Sequence, residues 1–279
     1  MMKAVKRVRL ALVYASLIAI SLMFVGTSYA EIDPKTCVGM WLFDEGKGDI
    51  AKDSSGKGND GKLMNDAEWV DGKFGKGLKF DGATCGFLCG SYVETRNNIG
   101  ISENQPRTLM AWIKWSGKGG KRQGIVQFGA VANRQSSTLY LWENGVIGQF
   151  KFQTQANDLK SGVLAKPGVW YHFVATWDGT KARIYVDGEE VRSGFLAKLI
   201  TIDTVVTIGK PFEDKRVFNG LIDDVAIFNV ALKEEDIQTI KNKGLEKTLG
   251  IITAVDPDPT SVYPTSKLTT IWGSIKAEN

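Results

Sequence analysis

Between residues 38 and 228 the chain keeps no local period for long. Short segments alternate apolar with polar side chains, then break at Gly, Asp, Asn or Ser. They occupy 38–44, 77–81, 91–94, 108–115, 124–128, 138–142, 147–152, 170–177, 182–186, 204–208 and 221–228. A period of two sends successive side chains to opposite faces of a strand, so one face of each segment is apolar. Strand-length segments at regular spacing, without long helical patterns between them, predict an all-β chain folded as a sandwich of two antiparallel sheets. Thirty-one glycines in 279 residues suit the many turns this requires.

Residues 170–191, WYHFVATWDGTKARIYVDGEEV, show the pattern most fully. Asp178-Gly179 and Asp187-Gly188 supply the positive-φ positions of tight hairpin turns, and β-branched and aromatic residues alternate between them. The stretch contains His172, the only histidine of the chain. A general base needs a nucleophile or carboxylate aimed at it. None lies near in sequence, so His172 reads as a rung of the sheet.

Residues 1–30 stand apart. Lys3, Lys6, Arg7 and Arg9 precede an apolar run over 10–25, and Ser28-Tyr29-Ala30 precedes Glu31. A basic head, a short apolar core and small residues before a cleavage point predict a secretory signal peptide, with no membrane span after its removal. The protein is expected to be secreted, periplasmic or on the cell surface. The segment's four basic residues account for the whole formal charge of +4. The remaining chain is balanced, which removes the electrostatic basis for nucleic-acid binding.

Cys37, Cys85 and Cys89 would enter an oxidising compartment, enough for one disulfide and one leftover thiol. Cys85 and Cys89 are close enough to pair, although three pairings are open. Three cysteines and one histidine, widely scattered, do not suit a zinc site. After the last strand segment, Glu234, Glu235 and Asp236 open a short helix in which Ile237 and Ile240 share a face, and Gly244 closes it. The single domain is expected to run over 31–250. Residues 251–279 then form a Pro-containing linker, from Val255-Asp256-Pro257-Asp258-Pro259 to Pro264, and a strand-like tail at 268–275. The tail would fold back on the domain or dock on a partner's sheet edge.

Five pieces in order carry a resemblance: MWLFDEGKGDIAKDSSGKGNDGKL, GKFGKGLKFDG with YVET, TLMAWIK, VWYHFVATWDGTKARIYVDGEEV and FNGLIDDVAIFNVALKEEDI. Together they resemble the bacterial LamG-like domains, relatives of laminin G domains and concanavalin A-like lectins, over residues 38–245. The resemblance implies a two-sheet jelly roll with one short C-terminal helix, often calcium-bearing, used as a non-catalytic binding or adhesive module. One departure is that Lys233 stands where the family commonly has a Ser or Thr helix cap.

The loop over residues 53–61, DSSGKGNDG, is the best candidate for metal chemistry. Calcium takes six to eight oxygens, and glycine-rich loops can turn carbonyls inward. It is not an EF-hand, because Lys57 and Met64 occupy ligand positions. The first and last strands of a jelly roll are usually neighbours, so Asp44 and Asp224 are expected to join Asp53 and Asn59 around calcium. The competing reading is a tight connection whose acids face solvent.

Glycan binding needs exposed aromatic faces beside hydrogen-bonding side chains. Trp115 and Trp142 end strand segments next to loops, and Asn133, Arg134 and Arg216 lie in loops that could converge on them. Aromatics in a sandwich are mostly core, which weighs against each tryptophan. A glycosidase of this architecture would need two convergent carboxylates. No acid-x-acid-x-acid strand supplies them, Asp223 and Asp224 are adjacent and point to opposite faces, and no Gly-x-Ser-x-Gly elbow is present. The expected function is a secreted, non-catalytic module that binds a glycan or extracellular protein, with calcium. The alternatives are an adhesive component docked through its tail and, less favoured, a polysaccharide hydrolase.

Overall fold

A computed structural model describes residues 32–83, 90–120, 122–142, 148–155, 158–211 and 216–251. The expected signal peptide, the Cys85–Cys89 pair and nearly all of the tail lie outside them. Among the described residues no helix is long and apolar enough to cross a membrane.

Sixteen strands are described: β1 (Cys37–Trp41), β2 (Ile50–Ala51), β3 (Gly61–Met64), β4 (Glu68–Asp71), β5 (Lys76–Asp81), β6 (Tyr92–Thr95), β7 (Arg107–Trp115), β8 (Arg122–Gly129), β9 (Ser136–Trp142), β10 (Gln149–Gln153), β11 (Leu159–Leu164), β12 (Trp170–Trp177), β13 (Lys181–Val186), β14 (Glu189–Phe195), β15 (Thr207–Ile208) and β16 (Asn219–Phe228). Two helices follow, α1 (Glu234–Lys243) and α2 (Leu245–Leu249), where one was expected. All strand pairing is antiparallel, in two sheets. Sheet A has the order β14-β13-β12-β7-β16-β5-β4, with β1 also on β16, and sheet B the order β11-β10-β9-β8-β15-β6-β3-β2. The first and last strands are therefore neighbours, as anticipated.

Alternation builds the core. Phe173, Ala175 and Trp177 of β12 and Leu109, Ala111, Ile113 and Trp115 of β7 meet Leu139, Leu141, Phe150 and Phe152 of sheet B between the sheets. Sheet A is buried on its other face too. Met110, Val174, Tyr185, Ala226 and Phe228 pack there against Ile237, Ile240, Leu245 and Leu249 of the helices. That second covering explains why the β7 sequence, RTLMAWIKW, is nearly continuous in apolar residues, since both faces of the strand are dry.

The Asp-Gly turns behave as read. Asp187 and Gly188 both have positive φ, +53° and +87°, and join β13 to β14 by a two-residue hairpin. At the other turn Asp178 Oδ1 accepts the Thr180 and Lys181 N–H groups at 2.9 and 2.8 Å. Helix α1 starts at Lys233 without a side-chain cap; the Asp236 carboxylate instead accepts the Lys233 N–H at 3.2 Å.

Arg107 ties the two sheets together. It is fully buried, and its guanidinium donates to Ser137 Oγ of β9 at 3.2 Å and Thr201 Oγ1 at 2.7 Å. It also reaches the Glu103 and Gln105 carbonyls, at 2.9 and 2.7 Å.

Candidate functional site: the outer face of sheet B

The outer face of sheet A is covered by the helices; on the outer face of sheet B the central row is buried too, and its composition is different. Strand register lays Gln153, Thr138, Gln127, Thr207, Glu94 and Lys62 side by side across β10, β9, β8, β15, β6 and β3. Their sequence neighbours Phe152, Leu139, Val126, Ile208, Val93 and Leu63 point into the core, so these six point outward. The first four are neutral hydrogen-bonding side chains, each at most 4% exposed. Gln153 Oε1, Thr138 Oγ1, both polar atoms of the Gln127 amide and Thr207 Oγ1 are buried without a hydrogen-bond partner. A buried amide or hydroxyl without a partner costs about 1–3 kcal/mol. Four in a register row are a local concentration of that cost, which bound water or polar ligand atoms would relieve.

Two further rows border this one. Lys160, Lys151, Tyr140 and Gly124 are in register, and beyond them Leu164, Gln149, Trp142 and Arg122. Lys151 is buried and its Nζ lies 2.7 Å from Asp158 Oδ2. The same Nζ stands 3.5 Å from the Trp142 ring centroid, while the Arg122 guanidinium carbon is 4.0 Å from it. Cations from β8 and β10 thus come over the indole from the strands on either side. Trp142 Nε1 is buried and unpartnered. Arg216 Nη1 donates to Tyr140 Oη at 3.5 Å, and the Arg216 carbonyl accepts the Gly124 N–H at 2.8 Å. Gly124 permits this close passage, because a Cβ there would stand 2.5 Å from Pro211 Cδ. Beside the row, Lys210 Nζ sits 4.8 Å from the Tyr92 ring centroid.

The expected glycan-binding residues divide. Trp142 and Arg216 are on this face. Trp142 does not offer an open ring for stacking, contrary to expectation, because the two cations cover it. Trp115 belongs to the inter-sheet core, its Nε1 donating to the Lys118 carbonyl at 3.0 Å, so it is a packing residue. Asn133 and Arg134 sit in the β8–β9 loop, at the end of β9 opposite Trp142. Arg134 has φ +63° and donates from Nη1 to the Lys198 carbonyl at 3.3 Å, so it braces loops. Sequence reasoning missed Gln127, Thr138, Gln153 and Thr207. The available signal was that these four outward positions are uncharged, where a solvated face would favour Lys and Glu.

The expected calcium ligands divide into two groups, Asp53 with Asn59 in the loop and Asp44 with Asp224, whose charges act on each other. Asp53 Oδ1 accepts the Met40 and Ser55 N–H groups at 3.0 and 2.9 Å, and its Oδ2 the Asn59 N–H at 2.9 Å. Asn59 donates to the Val38 carbonyl and accepts from Trp41 Nε1, both at 2.9 Å. This loop fastens β1 through its own hydrogen bonds. Asp44 lies elsewhere, accepting the Lys76 N–H at 2.7 Å. Asp224 is buried at a positive φ of 45°, and burial, then the charges of Asp223, Asp44 and Glu246, push its carboxyl well above the usual range. Burial likewise raises Asp223 to about 7, against the N–H bonds it accepts from Phe74, Lys73 and Asp224. Among the described residues no three His, Cys, Asp or Glu side chains are grouped to hold a metal, so Asp44, Asp53 and Asp224 do not form one cluster.

Cys37 is a buried free thiol, raised to about 12 by burial. His172 is equally inert. It stacks on Trp112 at 5.1 Å under sheet A's helical cover, and burial lowers it to about 3, with Lys241 adding to the effect. Its backbone N–H donates to Asp187 Oδ1 at 2.9 Å, holding the following turn.

The comparisons with known proteins agree with this architecture. Among curated proteins none matches the sequence. Domain 4 of an extracellular arabinanase from Geobacillus stearothermophilus, solved with arabinotriose, superposes with a TM-score of 0.58 at 21% identity. That match covers 74% of this chain and 98% of the arabinanase domain. The binding domain of Paraclostridial Mosquitocidal Protein 1 gives 0.59 at 16% identity, over 75% of this chain and 52% of that one. The botulinum neurotoxin DC binding domain, solved with rat synaptotagmin II, gives 0.57 at 13%, over 76% and 52%. The chain thus spans about half the length of the two toxin domains. At these identities the likeness is one of fold. The family model of the concanavalin A-like lectin/glucanases superfamily matches residues 89–238, more than half of the sequence. The chain belongs to that superfamily.

Proposed function

We propose that this protein is a secreted, non-catalytic binding module that holds a glycan on the outer face of sheet B. The observation that carries the reading is the register row Gln153, Thr138, Gln127 and Thr207, buried and unpartnered. Amides and hydroxyls both donate and accept, which matches the hydroxyl groups of a sugar. The arabinanase domain solved with arabinotriose is a precedent for an oligosaccharide on this fold. The basic, apolar leader read in the first thirty residues supports secretion.

Among the described residues the acids of this face argue for binding over hydrolysis. Glu94 is on β6, whereas Asp158 follows β10 and is engaged by Lys151. Four strand spacings separate β6 from β10, roughly 19 Å. Paired glycosidase carboxylates stand about 5–9.5 Å apart.

The test is an oligosaccharide array probed with the purified protein in calcium and in excess chelator, with reducing ends assayed in parallel. Binding in both conditions without release of reducing ends is the expected result. Turnover of a bound oligosaccharide would overturn the non-catalytic reading, and silence across the array would overturn the glycan reading.

A further inference from the structure

The corner of this face formed by β8, β9, β10 and β11 differs from the neutral row. Lys160 and Lys151 are directly opposed across β11 and β10, and Arg122 stands beside Trp142 on β8. Like charges directly opposite one another destabilise a sheet. Asp158 answers one of them, through its 2.7 Å contact with Lys151. Among the described residues no carboxylate pairs with Arg122 or Lys160. The same corner contains the buried, unpartnered Trp142 Nε1, which can only donate. Beside it, Gln153 and Thr138 are more than nine-tenths buried with their own unpartnered polar atoms.

Arginine, lysine and indole N–H groups are all donors without acceptor capacity. A neutral hydroxyl would satisfy one of them and leave the charge excess in place. An anionic oxygen cluster meets several donors together and neutralises the excess. We infer that this corner is a subsite for the carboxylate or sulfate group of an acidic sugar, so that the ligand of the neutral row is an anionic glycan. Arg122 and Lys160 supply charge, and Trp142 Nε1 a directed hydrogen bond. The Asp158 pair holds Lys151 over the indole. This inference rests on the glycan reading above and adds the charge class of the ligand.

The experiment is an array printed with matched neutral, carboxylated and sulfated forms of the same oligosaccharides, probed with the wild type and with Arg122→Gln/Lys160→Gln. The wild type is expected to bind an acidic form at least about tenfold tighter than its neutral counterpart. That preference weakens as salt is raised. In the double variant the acidic-to-neutral ratio falls toward one, and Arg122→Lys retains part of it. Equal binding of neutral and acidic forms by the wild type would overturn the charge assignment while leaving the glycan reading in place. A preference that survives in the double variant would also overturn it. Absence of binding to every form would overturn both readings together.

Discussion

Thr138 on β9 and Gln127 on β8 stand directly opposite each other on the outer face of sheet B, both buried and both with side-chain polar atoms that no protein group meets. A protein optimised for stability alone would place apolar side chains there, because burying an unmatched polar group is unfavourable and replacing it by an apolar one of the same shape is neutral or stabilising. Thr138→Val is expected to raise the unfolding free energy by about 1 kcal/mol. Thermal denaturation checks this, and a fall in Tm would show that the hydroxyl serves the fold.

The carboxylates around Asp224 predict a second gain in stability. Asp224 is pushed well above the usual range by burial and by Asp223, Asp44 and Glu246. A carboxyl raised on folding stabilises below its unfolded value and loses that contribution as pH rises through its folded value. Asn at this position imitates the protonated acid and tolerates the observed φ of +45°. Asp224→Asn should therefore raise Tm at pH 8 and converge with the wild type toward pH 4. A variant less stable than the wild type at pH 8 would show that the charge has a favourable partner.

His172 acts in the opposite direction. Its folded value is lowered to about 3, from the ordinary 6.5. Between those values the unfolded chain binds a proton that the folded chain does not, so this residue's share of stability is lost as pH falls from 6.5 toward 3. The slope is at most about 1.4 kcal/mol per pH unit. His172→Phe should retain the stack on Trp112 and flatten that part of the pH–stability curve. Because His172 lies on the other sheet, glycan affinity at pH 7 should not change. Denaturant titrations of both proteins at pH 4 and 7 decide the first point.

Cys37 should remain silent. A thiol raised to about 12 and fully buried is neither ionised nor reachable at pH 8. Alkylation is expected to modify it only after denaturant is added, as read by the mass of the intact protein. Rapid modification of native Cys37 would contradict its place in the core.

How far the sequence could be read depends on which faces are dry. Phe173, Ala175 and Trp177 alternate with residues that also pack, and β12 coincides with residues 170–177 as anticipated. Strands β11, LKSGVL, and β14, EEVRSGF, went unread because both are edge strands and leave much of their length in solvent, so no apolar alternation marks them. The site was less legible for a related reason. Trp142 and Arg216 could be named from residue type, but Trp115 has the same position relative to its strand and is core. Gln127, Thr138, Gln153 and Thr207 are unremarkable singly. They become a site only when register sets them in one row, and register between strands distant in sequence cannot be read from one-dimensional pattern. The role of Asp53 was hidden for the same reason: its oxygens accept N–H groups of its own loop and of β1, which sequence spacing does not reveal.

The most direct test of the central claim compares the wild type with Thr138→Val/Gln127→Leu for binding to the strongest oligosaccharide on the array, with Tm measured on the same samples. The account predicts a double variant that melts at or above the wild-type temperature and binds at least about tenfold more weakly, since two hydrogen-bonding positions are removed. Unchanged affinity in the folded double variant would contradict it and place the ligand elsewhere on the molecule.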